Sequence, residues 1–138
     1  MKKSKIKHNI KFDKKKLNII NVGRFTDQKD QITLLKAVNL IKNKINFRLL
    51  IVGEGVEKDN LINFIKENNL IEKVSLINFQ KNPFNLIKSS DLFTLSSIYE
   101  GLPNVLLEAL TLKKFVISTM CPAGPKEILL NGKAGYLF

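Results

Sequence analysis

Short apolar runs alternate with amphipathic stretches along almost the whole of this sequence, and few folds accommodate that rhythm. The runs are LNIINVG (17–23), FRLLIVG (47–53), VSLIN (74–78), DLFTLSS (91–97), FVIST (115–119) and GYLF (135–138). Each is too short to be a helix and too continuously apolar to be a strand with one wet face. Between them, Ile32, Leu35, Val38 and Ile45 fall close to one helical face and predict a helix over 30–44. Leu61, Ile62 and Ile65 predict another over 57–68, with Glu57 and Asp59 near its start, where the helix dipole favours acids. Shorter helices are expected over 83–89, 103–112 and 125–130. Buried strands separated by helices define an α/β protein with a parallel sheet covered on both faces. Right-handed crossovers then give a doubly wound open sheet, whose ligands sit outside the carboxyl ends of the strands.

At 138 residues the chain has the size of one domain. The rhythm begins at Leu17, so residues 17–138 are read as that domain and 1–16 as a basic, poorly ordered lead-in. Lys2, Lys3, Lys5, Lys7, Lys11, Lys14, Lys15 and Lys16 crowd this lead-in. Such a run most often forms a solvated tail, and it also suits loose attraction to an anionic membrane surface. No apolar run approaches the ~20 residues of a membrane span, and no apolar segment with a small-residue cleavage site follows the basic start. A single cysteine, Cys121, excludes an internal disulfide and any multi-cysteine zinc site. These features predict a cytoplasmic domain. The net charge of +11 invites a nucleic-acid reading, but Arg24 and Arg48 are the only arginines. A lysine-dominated surplus, without a helix-turn-helix or aromatic-stacking signature, argues against nucleic acid as the partner.

The strand-to-helix loops are where chemistry is expected. After the first strand, GRFTDQKD places Arg24 and Lys29 beside a strand end closed by Gly23. Arg by forked hydrogen bonds and Lys as a point charge together suit a diphosphate. After the second strand, Gly53-Glu54-Gly55 lacks the third glycine and the ribose-binding acid of a dinucleotide fingerprint, so it reads as a tight turn. After the fourth comes Ser96-Ser97-Ile98-Tyr99-Glu100-Gly101-Leu102-Pro103-Asn104-Val105-Leu106-Leu107-Glu108-Ala109. Pro103 suits the first turn of a helix, and Gly101 and Leu102 offer backbone N–H groups to an anion there. Glu100 precedes that start and Glu108 lies within the helix. The two acids serve equally well as ligands for sugar or ribose hydroxyls and as one surface acid plus one capping acid. After the fifth strand, Gly124-Pro125 reads as a flexible turn into a helix, with Cys121 nearby as a free thiol.

Taken together, N-V-G-R-F-T-D-Q-K-D (21–30), the acids Glu100 and Glu108, and G-P-K-E-I-L (124–129) resemble the C-terminal domain of bacterial retaining glycosyltransferases. The family is that of glycosyl transferases group 1, family four type, and this domain is the nucleotide-sugar-binding half of its GT-B fold. The resemblance runs from Leu17 onward and implies a Rossmann-like domain. It assigns catalytic parts to Arg24, Lys29 and Glu100. Gly23, Arg24 and Lys29 would hold the donor diphosphate, Glu100 the donor sugar, and Glu108 the ribose. Gly101 and Leu102 would present amides to a phosphate, and the base would pack near Phe79–Pro83. The donor would be a UDP- or GDP-sugar carrying a hexose or N-acetylhexosamine, with neither cofactor nor metal. The acceptor would be a lipid-linked or surface polysaccharide, held by an acceptor-binding domain in the same or a separate chain.

Two departures stand out. The family has glycine and proline after the acid-pair helix, where this chain has Lys113 and Phe115. A side chain in a left-handed cap costs ~1 kcal/mol, so a different helix exit is expected. The family's domain also continues beyond residue 138, which implies a C-terminally truncated copy of the fold. The competing function from another class is a non-catalytic nucleotide-binding or partner-binding domain.

Overall fold

The computed structural model describes residues 12–138. Six strands form one sheet: β1 (Leu17–Val22), β2 (Phe47–Val52), β3 (Val74–Ile77), β4 (Leu92–Leu95), β5 (Phe115–Ser118) and β6 (Tyr136–Leu137). The helices are α1 (Gln31–Ile41), α2 (Lys58–Glu67), α3 (Phe84–Ser89), α4 (Asn104–Thr111) and α5 (Pro125–Ile128), with a 3-10 turn at Asp27–Lys29. The strand order is β3-β2-β1-β4-β5-β6, with every pairing parallel. This is the doubly wound α/β sheet expected from the alternation. The order reverses between β1 and β4, so the loops leaving these two strands diverge and open a crevice at the carboxyl edge.

Two cores hold the sheet. Leu35, Phe47, Leu49, Leu61 and Leu70 are buried in the core that includes α1 and α2. Ile20, Ile87, Phe93, Leu106, Val116 and Leu129 are buried in the core that includes α3, α4 and the end of α5. Because β1 pairs in register with β2 from Leu17↔Phe47 to Val22↔Val52, their glycine-ended loops leave at the same height.

Part of the lead-in adds to this fold. Phe12 packs against the second core, and Lys16 N–H donates to Asp13 O at 2.9 Å, closing a turn. The Asn18 amide holds that turn by donating to Asp13 O and Lys16 O. Residues 1–11, with five of the eight lead-in lysines, lie outside the described residues.

Two expectations need correction. The first long helix ends at Ile41, not 44, because Lys44 and Ile45 N–H groups both turn back to Ile41 O. Its buried face is Gln31, Leu34, Leu35 and Val38, while Ile45 is exposed past the helix end. The exit of α4 is likewise not built differently: Lys113 itself adopts φ 56°. Lys114 N–H reaches Ala109 O and Lys113 N–H reaches Leu110 O, the paired bonds of a glycine-type helix stop. The bonds compensate the strain of the side chain.

One face of the second half-sheet stays bare. Ile117 pairs with Tyr136, and strand alternation puts Phe115 and Phe138 on the same side. Phe115, Tyr136 and Phe138 are 61%, 60% and 57% exposed. Leu92, Ile117 and Phe138 flank an apolar groove of about 310 Å³ beside α1. Among the described residues no helix is long and apolar enough to cross a membrane.

Candidate active site

The crevice between the β1 and β4 loops is a cleft of about 690 Å³. Gly23, Arg24 and Lys29 from the β1 loop line it, together with Glu100, Leu102 and Pro103 from the β4 loop. Gly53 and Glu54 close one end, and Phe79, Gln80, Asn104 and Val105 complete the wall. Arg24 is exposed, whereas Glu100 is buried. Phe79 and Gln80 belong to the segment expected to meet a base.

Tight backbone contact fixes the positions of these loops. A Cβ on Gly53 would lie 2.0 Å from Gly23 O, and one on Gly55 would lie 2.3 Å from Phe25 O. Phe25 N–H donates to Glu54 O and Glu57 N–H to Phe25 O. The Gly-Glu-Gly segment is therefore not itself the tight turn its sequence suggests: Gly53 and Glu54 run on from β2 along the first loop, and the turn into α2 begins only at Gly55, whose carbonyl accepts from Lys58 N–H. Its glycines also let the second loop lie directly on the first. Gly124, at φ 67°, does the same for the β4 loop: a Cβ there would lie 2.4 Å from Gly101 O and 2.8 Å from Pro103 Cδ. The Gly124-Pro125 turn is therefore packed against the start of α4.

Hydrogen bonds then tie the β1 loop to the β4 loop. Ile98 N–H donates to Gln28 O, the Gln28 amide to Tyr99 O, and Ser96 Oγ to Lys29 O at 2.8 Å. The Gln31 amide, from the first turn of α1, donates to Arg24 O. At the centre Lys29 Nζ forms an ion pair with Glu100 Oε1, and Ser97 Oγ donates to the same oxygen at 2.6 Å. Glu100 Oε2 has no protein partner among the described residues.

The expected residues divide between two recesses. Glu108 is half-buried and does not line the main cleft. It lines a neighbouring recess of about 480 Å³ with Phe84, Leu107 and Thr111, and Asn104 borders both. Gly101 is exposed, with open space where a Cβ would project. No acceptor among the described residues takes the N–H of Gly101 or Leu102. Pro103 caps α4 in extended conformation instead of opening its first turn. Cys121 is buried beside the cleft. Burial pushes its thiol above the ordinary range, a push the Thr119 hydroxyl partly offsets, with the Glu100 charge adding to it and Lys29 opposing it. Sequence reasoning had passed over Ser96, Ser97, Gln28, Gln31 and Asn104. The paired serines at a strand end were the readable signal.

Chemically, the cleft offers an exposed guanidinium, an ammonium already held by a carboxylate, and the open backbone donor of Leu102 just before a helix, with that of Gly101 next to it outside the lining. Such a set suits an anionic ligand with polar attachments. This doubly wound sheet, with its site at the switch point, is the Rossmann-like half of a GT-B glycosyltransferase fold. A variant of Staphylococcus aureus TarM, solved with UDP and alpha-GlcNAc-glycerol, matches at TM-score 0.84 and 26% identity over 89% of this chain and 25% of that one. The lipopolysaccharide outer core galactosyltransferase WaaB matches at TM-score 0.80 and 25% identity over 91% and 36%. The family model for glycosyl transferases group 1 matches residues 2–138, and the chain belongs to that family.

Two relatives show how much of such a protein is represented. An uncharacterized glycosyltransferase of Methanocaldococcus jannaschii is 46% identical over 111 residues, covering 80% of this chain and 27% of the relative. A Campylobacter jejuni 4-alpha-N-acetylgalactosaminyltransferase that acts on a diphospho-undecaprenol-linked sugar is 37% identical over 119 residues, covering 86% and 32%. The chain spans about a quarter to a third of the length of these curated relatives.

Proposed function

We propose that this chain is the donor-binding part of a retaining glycosyltransferase. It would move a hexose or N-acetylhexosamine from a UDP- or GDP-sugar to a lipid-linked or surface polysaccharide acceptor. The observation that carries the reading is the convergence of Arg24, Lys29 and Glu100 on one cleft at the switch point, beside the open amides of Gly101 and Leu102. Arg24 and Lys29 offset the charge that builds on the departing nucleoside diphosphate, in a site partly closed to water. Glu100 Oε2 accepts from a sugar hydroxyl. Glu108, one recess away, accepts from the ribose, with the base against Phe79. The UDP bound by the TarM variant and the lipid-linked substrate of the Campylobacter relative support this assignment. The acceptor is held by polypeptide outside these residues, in the same or a separate chain, on the cytoplasmic side at the inner face of the membrane. The lysine surplus suits that anionic surface.

Calorimetry with UDP, GDP and their sugar conjugates tests the proposal, with and without a chelator. Binding should survive the chelator, because the cleft supplies its own positive charge. Glu108→Gln should weaken free nucleotide and nucleotide-sugar alike. Glu100→Gln should leave nucleotide binding nearly intact while weakening the nucleotide-sugar. If both variants treat the two ligands alike, and only their melting temperatures change, the acids are structural. The chain would then be a nucleotide- or partner-binding module.

A further inference from the structure

The paired serines at the end of β4 have no part in the function proposed above, yet they grip both members of the central ion pair. Ser96 Oγ donates to the backbone oxygen of Lys29, and Ser97 Oγ to the Glu100 carboxylate. Ser97 is 1% exposed, and its own backbone oxygen accepts from Thr119 Oγ1 at 2.6 Å. The backbone that carries the hydroxyl is therefore anchored from behind, in a buried position.

Two donors on one carboxylate oxygen are redundant while the cleft is free of ligand. They stop being redundant when a diphosphate enters. An ammonium shared between a carboxylate and a diphosphate moves toward the greater negative charge. Lys29 then leaves Glu100, whose carboxylate would swing on its flexible stem unless something else held Oε1. We propose that Ser97 is the positioning residue that keeps Glu100 aimed at the donor sugar once Lys29 has gone to the diphosphate. The proposal rests on the donor-binding reading and adds to it a division of time: Lys29 holds Glu100 before the donor arrives, and Ser97 holds it afterwards. A Glu100 oxygen locked by a fixed hydroxyl leaves only Oε2 to meet the sugar, so one hydroxyl of the sugar is selected over others.

Calorimetry on wild type, Ser97→Ala and Ser97→Thr with UDP, UDP-glucose and UDP-N-acetylglucosamine tests this, with melting curves alongside. Ser97→Ala should lose some thermal stability, because it removes a donor to a buried carboxylate, and should bind UDP as wild type does. It should lose about tenfold of whatever preference wild type shows for a UDP-sugar over UDP, the low end for a hydrogen bond to a charged group. Ser97→Thr, which keeps the hydroxyl, should restore that preference. A Ser97→Ala variant with the full wild-type preference overturns the positioning role and leaves nucleotide binding standing. Wild type that binds neither UDP nor any UDP-sugar overturns the donor-binding reading and this role together.

Discussion

Replacing Lys29 with methionine keeps the length of the side chain and removes its charge. Glu100 is then left in a pocket where its side chain is 5% exposed, against 17% for Lys29 itself. Removing one partner of a fully buried pair typically costs ~3–5 kcal/mol, because the other charge remains desolvated. Two features lower that figure here. Ser97 still donates to Oε1, and a hydrogen bond to a charged group contributes ~1.5–3 kcal/mol. Glu100 also borders a cleft that water can enter. We expect Lys29→Met to cost about 2–3 kcal/mol. For a chain of this size that corresponds to a fall in melting temperature of roughly 6–15 °C. Thermal denaturation followed by circular dichroism measures it, on wild type, Lys29→Met, Glu100→Gln and the double variant. Once Lys29 is gone, neutralising Glu100 should cost little or even stabilise. The double variant should therefore be more stable than the sum of the singles by about 1–2 kcal/mol. Additivity within ~0.5 kcal/mol would refute the argument that the pair is buried and coupled.

Arg24→Ala should weaken nucleoside diphosphate binding by ~1.5–3 kcal/mol in calorimetry, with little change in melting temperature, because the side chain is exposed. Equal affinity would remove Arg24 from the site. Lys113→Gly should stabilise by ~0.5–1 kcal/mol in urea titration, since residue 113 sits at φ 56° in a stop that glycine enters without strain. Cys121 should react slowly with iodoacetamide at pH 8, and Glu100→Gln should speed the reaction by removing a charge that raises the thiol pKa. A thiol whose folded pKa is raised favours the folded state below the ordinary thiol range. That contribution is lost as pH climbs through the folded value, so stability should fall in mildly alkaline solution, and less so in Cys121→Ala.

The sheet was legible because its signal is local: a buried parallel strand is mostly apolar, and each of the six runs was, with Asn18, Asn21, Arg48, Ser75 and Thr94 as isolated interruptions. Helix limits were less so. Ile45 carried the right spacing for α1, but periodicity does not show that the chain has already turned back at Ile41. For the cleft, Arg24, Lys29 and Glu100 were identifiable by type and by position at strand ends. Their pairing was not, because the distance between Lys29 and Glu100 depends on β1 and β4 lying side by side at the switch point. Glu108 illustrates the same limit. Helical spacing placed it on α4 but did not reveal that Asn104 stands between it and the main cleft. The glycines of the second loop were misjudged for a related reason. Only a neighbouring backbone 2.0 Å from an added Cβ shows why Gly53 has no side chain.

The bare side of β4–β6 gives the molecule a colloidal character of its own. Phe115, Tyr136 and Phe138 share one exposed side of neighbouring strands, an apolar patch prone to stick to another copy. Against this works a net charge of +11, which holds copies apart over a distance of ~10 Å at 0.1 M salt and ~3 Å at 1 M. Adhesion and repulsion thus respond oppositely to ionic strength. Produced on its own, the chain should stay dispersed in dilute buffer and associate as salt is added. Its solubility is set by the side of the sheet away from α4 and α5, while ligand binding belongs to the carboxyl edge.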